Sequence, residues 1–256
     1  MKTTYAFLKK EWLEYYRSGK LCIVGVVFAL FGLMNPAIAK LTPFLIEKLA
    51  SSGEMGMTIT MITPDATTSW GQFYKNIPMA LIVCVLMFGG TMATEIQKGT
   101  LIPVLTKGLA RWKVLLAKGL NLLLIWTIGY WACYGITYFY TAYYWDNSIM
   151  NNLGFSAFCY WLFGMFVMAM IILFSAVAAS FGTVILGVGI CYFAMTLLSI
   201  VPSIAEILPT YLTGALNVSM GIGNPEDFVT AILVTVLGLV GCIVGGCLIF
   251  NKREMP

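Results

Sequence analysis

Five strongly apolar stretches of this chain run without a single charged residue: Leu21 to Ala39, Asn76 to Thr94, Gly119 to Trp145, Asn147 to Ala205, and Phe228 to Asn251. A helix rises about 1.5 Å per residue, so about 20 apolar residues cross a bilayer core of about 30 Å. Four of the runs suit one crossing each. As a single helix, the run 147–205 would be about three times too long. It must divide, and the small and hydroxyl residues at Ser180-Phe181-Gly182-Thr183 interrupt its bulky aliphatic pattern. The pattern predicts an all-α polytopic membrane protein: one transmembrane domain over 1–256, with six spans at about 21–39, 76–94, 119–141, 157–179, 183–201 and 228–250.

The segments between the spans carry their own patterns. On a helical wheel, Tyr5, Leu8, Trp12, Leu13, Tyr15 and Tyr16 fall in one half, and Lys10, Glu11, Glu14 and Arg17 in the other. Phe7 and Lys9 are exceptions. This predicts an N-terminal amphipathic interfacial helix within 1–20, with Tyr5, Leu8, Trp12 and Tyr16 at headgroup depth. The excursion Lys40 to Lys75, with Pro43, Gly53, Gly56, Pro64 and Gly71, is expected to form one or two short surface helices. Asn35-Pro36 is expected to end the first span. The segment 202–227 is apolar in its first half and broken by Pro202, Pro209 and Gly214, which predicts short re-entrant outer helices before the last span.

Composition agrees with the spans and adds exclusions. The chain is 60% hydrophobic and 10% charged, with a mean hydropathy of +0.88; an ordinary soluble domain carries about 25% charge. Six spans with the N-terminus inside place Lys2, Lys9, Lys10, Arg17, Lys20, Lys98, Lys107, Arg111, Lys113, Lys118, Lys252 and Arg253 on one side, twelve of the fifteen basic residues. Only Lys40, Lys48 and Lys75 lie opposite. Five spans would put Lys252 and Arg253 outside and Glu206 to Asp227 inside, against the positive-inside rule. A multi-pass protein of the cell membrane, bacterial by expectation, with both termini cytoplasmic, follows. Ala37-Ile38-Ala39 resembles a signal cleavage site, but the run before it is long enough to span and contains Pro36, so the uncleaved form is expected.

With no histidine, serine–histidine and cysteine–histidine hydrolysis and histidine metal sites are excluded. Cys22, Cys84, Cys133, Cys159, Cys191, Cys242 and Cys247 all sit in apolar runs with no C-x-x-C pair, as packing residues do. No G-x-x-x-x-G-K-[ST] occurs, so the chain has no P-loop for ATP. The central parts of the spans carry no ionisable residue, which argues against a proton-coupled carrier. No catalytic constellation and no metal site are expected.

The segment 95–118 is the informative loop. It holds five basic residues and an apolar cluster of Ile96, Leu101, Ile102, Val104 and Leu105. Thr100 can cap a short helix beginning at Leu101, in whose first turn Pro103 is tolerable. Glu95, then Gly99-Thr100, the aliphatic Leu101 to Leu105 and Arg111 resemble the membrane subunits of type-2 ABC exporters, the ABC-2-type permeases. Six spans, the N-terminal helix and the broken segment before the last span match the same layout. Two features depart from that pattern: Pro103 interrupts a helix that is usually continuous, and Ile102 stands where an acidic residue is frequent.

The resemblance implies that this loop carries a cytoplasmic coupling helix facing a separately encoded ABC ATPase, with Glu95, Gly99, Thr100, Leu101, Leu105 and Lys107 as ATPase-coupling residues. It implies no cofactor in this chain itself, with ATP and Mg bound by the ATPase, and a second permease copy, homodimeric or heterodimeric. Membrane lipid is a further partner and nucleic acid is not. Tyr130, Tyr134 and Tyr138 form an i, i+4, i+8 row in the third span; Tyr130 and Tyr134, with Pro202 and Pro209, are the candidates for a pathway or outer gate. Gly241 and Gly245 read as a close-packing motif. The expected function is export of a small or amphipathic substrate, such as a peptide, drug or lipid-like molecule. A non-transporting anchor or immunity protein and an ATP-independent carrier are the alternatives.

Overall fold

A computed structural model of the chain describes residues 2–51, 64–101, 103, 106, 108, 110–178 and 180–253. Every regular element among them is helical. Helix α1 covers Lys2–Arg17, α2 Lys20–Ser51, α3 Ala66–Phe88, α4 Thr91–Gln97, α5 Arg111–Tyr144, α6 Leu153–Val177, α7 Phe181–Leu198, α8 Pro202–Ala205, α9 Leu216–Ser219 and α10 Val229–Lys252. Six helical stretches are long and apolar enough to cross a bilayer: Lys20–Phe44, Ala66–Gln97, Arg111–Tyr144, Leu153–Val177, Phe181–Leu198 and Pro225–Lys252.

The run 147–205 divides where its bulky pattern lapses. Ser180 caps α7, accepting from the Thr183 amide, while the Thr183 hydroxyl accepts from the Ser180 amide, a reciprocal box that opens the helix. The second crossing begins earlier than its charge-free run, at Ala66, where Asp65 accepts from the Thr68 amide at 2.9 Å.

Helix α6 is the most enclosed crossing, packed by α10, α5 and α7, while α7 and α10 keep most of their surface outward. Its contact with α5 centres on Trp126, whose indole occupies the space a Cβ would take at Gly164 and whose Nε1 donates to Trp161 O at 3.0 Å. Phe28 of α2 packs edge-on against the same indole.

Pro36 does not end its helix: α2 continues through Pro36 and Pro43 to Ser51. Proline removes the amide that would bond the carbonyl one turn earlier. Here that carbonyl, Gly32 O, accepts from the Thr137 hydroxyl of α5 at 3.2 Å. Asn35 beside it accepts from Asn76 at 2.8 Å and donates to Thr137 at 3.1 Å, so one buried polar knot joins α2, α3 and α5. The expected surface helices of 40–75 are instead the end of α2 and the start of α3; residues 52–63 lie outside the described ones.

The segment before α10 consists of α8, a 3-10 turn over Pro209–Gly214, α9 and a 3-10 turn over Pro225–Phe228. The Ser156 hydroxyl of α6 donates to Ala215 O at 2.6 Å and lies 2.5 Å from the Ser219 hydroxyl, while the Asn151 amide donates to Ser219 O at 3.0 Å. These bonds tie the broken helices to the most enclosed crossing.

Gly164→Leu should drive a side chain into the Trp126 indole, and overpacking of this kind costs about 1–3 kcal/mol or more. Purified in detergent, this variant is expected to melt well below the wild type or to aggregate. Gly135→Leu, with nothing within 4 Å of its Cβ position, should elute and melt as the wild type does.

Candidate functional site

The face that α1 turns to the bundle differs from the one its wheel suggests. Phe7, Glu11 and Tyr15, one turn apart, are buried, whereas Tyr16 is 71% exposed and Leu13 42%. The wheel treated Glu11 as a solvent-facing charge and Phe7 as an exception. The structure reverses both because Lys118 supplies the partner that makes a carboxylate tolerable in the interior.

Lys118 lies about two turns into α5 and is 6% exposed. Its ammonium sits 2.5 Å from Glu11 Oε2 of α1 and 2.8 Å from Glu95 Oε1 of α4, so one cation joins three helices. Lys10 stands outside this centre, 3.3 Å from Glu11 and 3.1 Å from Glu14. Burial disfavours the charged form of Lys10, but the Glu11 and Glu14 carboxylates outweigh it and raise its pKa. Burial first, and then the Glu11 and Glu95 charges, push the Tyr15 phenol well above its ordinary value, so it stays neutral against Phe88. Asn121, one turn further along α5, donates to Leu8 O at 3.2 Å and fixes α1 a second time.

Carboxylate oxygens of Glu11, Glu14 and Glu95 come within 4.8 Å of one another, a spacing that could hold a cation. The ammonium groups of Lys10 and Lys118 already occupy that role. The wheel reads Glu11 and Glu14 only as polar-face charges, and the pairing of Glu11 with Lys118 crosses more than 100 positions of sequence.

Glu95 of the expected coupling set therefore points inward, with a side chain 15% exposed. Gly99 adopts φ +65°, the left-handed region that ends α4, and Thr100 donates its hydroxyl to Glu95 O at 3.3 Å. Leu101 is buried, 2% exposed. Beyond it, Pro103 and Thr106 are helical and the Thr106 hydroxyl donates to Pro103 O at 3.2 Å. Leu105 and Lys107 lie outside the described residues, as does most of the expected coupling helix. In α1, Leu8 and Trp12 are half-buried and Tyr16 is exposed; the side chain of Tyr5 lies outside the described set.

A second lock at the same end comes from Arg253. Its guanidinium donates to Ala176 O and Ala178 O at 3.0 Å each, capping the end of α6. Arg111 at the start of α5 donates in turn to Arg253 O.

At the opposite end, Tyr130 is fully buried, its hydroxyl donating to Ala157 O at 2.8 Å, and Tyr134 packs on Trp70 and Tyr138. The aromatic row is thus largely a packing seam between α3, α5 and α6. Pro202 opens α8 on the surface, and Pro209 opens its 3-10 turn while buried.

The fold is that of an integral membrane protein whose buried ionic centre lies at one end of a six-helix bundle. A sequence model of the ABC-2 family transporter proteins matches residues 5–255, so the chain belongs to that family. It is 26% identical over 235 residues, 89% of either chain, to the uncharacterized transmembrane protein YxlG of Bacillus subtilis (strain 168).

Removing one partner of a buried pair strands the other charge and costs about 3–5 kcal/mol. Lys118→Met is expected to lower the melting temperature in detergent far more than Glu95→Gln, which leaves the Lys118–Glu11 pair in place. Equal melting of the two variants would contradict the central place of Lys118.

Proposed function

We propose that the chain is the permease subunit of an ABC exporter, moving a small or amphipathic substrate when a separately encoded cytoplasmic ATPase pushes on the segment 95–107. Family membership over nearly the whole chain supports transport. The observation that carries the coupling reading is the Glu11–Lys118–Glu95 centre. It makes α1, α4 and the start of α5 one mechanical body directly beside the segment expected to meet the ATPase.

A push on 99–107 would reach α4 through the left-handed turn at Gly99, and α1 and α5 through Lys118. In this reading Glu95 is a positioning residue. Among the described residues of that segment, the helical and exposed Pro103 and Thr106 are the ones open to the motor. The basic residues at this end, Arg111, Lys113, Lys252 and Arg253 among them, support a cytoplasmic placement under the positive-inside rule. A bacterial plasma membrane, a homodimer or heterodimer, and ATP with Mg in the ATPase complete the proposal.

Affinity purification of the tagged chain from its native membrane should recover a P-loop ATPase in stoichiometric amount; its reproducible absence would sink the proposal. In vesicles containing both subunits, Gly99→Val, which forces a β-branched residue into φ +65°, should lower transport per ATP hydrolysed by about tenfold, within the usual range of coupling energies. Unchanged transport per ATP would remove the coupling role from this turn.

A further inference from the structure

At the basic end, a cavity of about 500 Å³ opens between α1, the start of α2, the α3–α4 junction and the start of α7. Its polar wall includes Lys20 and Lys98, with the Thr91 and Thr94 hydroxyls between the helices. Neither lysine has a carboxylate within ion-pair distance among the described residues. Lys20 stands 5.9 Å from each of the Tyr15 and Phe88 rings, with the Glu14 and Glu95 carboxylates of the same cavity acting on it from beyond ion-pair distance. Summed over the cavity and its ionic centre, Lys10, Lys20, Lys98 and Lys118 stand against Glu11, Glu14 and Glu95, four charges against three, leaving one positive charge.

The other wall is apolar and continues along the bundle. Leu86 lines this cavity and also a second one of about 240 Å³, an apolar slot between α3, α6 and α7 lined by Val85, Phe163 and Val188. Phe181 stands at the junction, its ring filling the space a Cβ would occupy at Gly90. The glycine pair that breaks α3 from α4 thus shapes the passage between the polar and apolar compartments. A ligand fitting both is an amphiphile with one negative charge at its head.

We propose that this cavity binds an anionic phospholipid, its phosphodiester between Lys20 and Lys98 and its acyl chain passing Leu86 into the slot between α3 and α7. Lys20 immediately precedes the charge-free run that begins at Leu21, which is the depth of a headgroup. A single phosphodiester charge neutralises the excess of one; a free phosphate dianion would overshoot it and leave the slot empty. Basic pockets between helices at the membrane boundary hold anionic headgroups by the same chemistry. The bound lipid lies against α1, α4 and the start of α7, all of which line the cavity. The inference rests on membrane insertion and this cavity alone, and holds whether or not the chain transports.

The test is native mass spectrometry of the full chain in detergent, with equimolar phosphatidylglycerol and phosphatidylcholine of matched chains. The wild type should retain phosphatidylglycerol about thirtyfold over phosphatidylcholine, and Lys20→Gln/Lys98→Gln should lose about thirtyfold of that binding, the scale of about 1 kcal/mol for each of the two lysines. Lys98→Gln alone should lose several-fold; its side chain holds no described bond, so it decides the matter if the double variant fails to fold. Lys113→Gln/Lys252→Gln, equal in charge change but off the cavity, should bind as the wild type. Gly189→Leu, which fills the slot at a position with nothing within 4 Å, should weaken long-chain phosphatidylglycerol and spare the dihexanoyl form. Equal retention of the two lipids, equal loss in the control pair, displacement by inorganic phosphate, or indifference to Gly189→Leu would each overturn the proposal.

Discussion

The basic end of this protein depends on one ammonium group. Lys118 enters the bundle in a helix that continues across the membrane, and a cation at that depth is stable only with counter-charges at contact distance. Glu11 and Glu95 supply them, at 2.5 and 2.8 Å, from helices on either side. The consequence is mechanical as much as electrostatic. Helix α1, which by its apolar and aromatic residues could lie anywhere on a membrane surface, is held at a fixed position by a pair it cannot leave without stranding a buried charge. The Asn121 amide on Leu8 O then sets its rotation.

A related constraint acts elsewhere in the bundle, since a backbone carbonyl freed at membrane depth is costly without a donor. Pro36 frees Gly32 O and α5 answers with Thr137. The end of α6 frees Ala176 O and Ala178 O, and Arg253 answers from the far end of the chain. In both cases the unsatisfied group on one helix dictates which neighbour packs there. The two most enclosed crossings, α5 and α6, both carry polar cross-links, and α7, whose exposed Thr196 hydroxyl bonds back to Tyr192 O of its own helix, remains at the rim.

The crossings were legible in the sequence because charge-free runs are a one-dimensional signal: six segments, and the break at Ser180 that begins α7, could be read from spacing alone. The site was not, and Glu11 shows why. A wheel assigns faces by assuming that charge seeks water, so a carboxylate whose partner lies in another helix is placed on the wrong side together with its neighbour Phe7. Pro36 misleads in the same way. Locally it is a helix terminator, and only the Thr137 hydroxyl on another helix makes continuation possible. Where a single long-range partner decides the local outcome, no window along the chain contains the information. The resemblance of their segment directed attention to Glu95 and Gly99, but the inward turn of Glu95 depends on Lys118 and is again a property of the fold.

The placement of these contacts divides the bundle into a rigid and a loosely held part. Helices α2, α3, α5 and α6 share buried polar bonds and tight aromatic seams. By contrast α7 touches the bundle along a thin contact at Phe181, Gly187 and Val188, and much of its length is outward. Its start, beside Gly90, is the point nearest the ionic centre. Displacement of α4 would therefore meet the least resistance at the Phe181 junction, where glycine on one side and a single ring on the other leave no backbone bond to break. The Lys118 centre thus holds α4 on one side by ion pairs, and the Phe181 junction holds it on the other by packing alone.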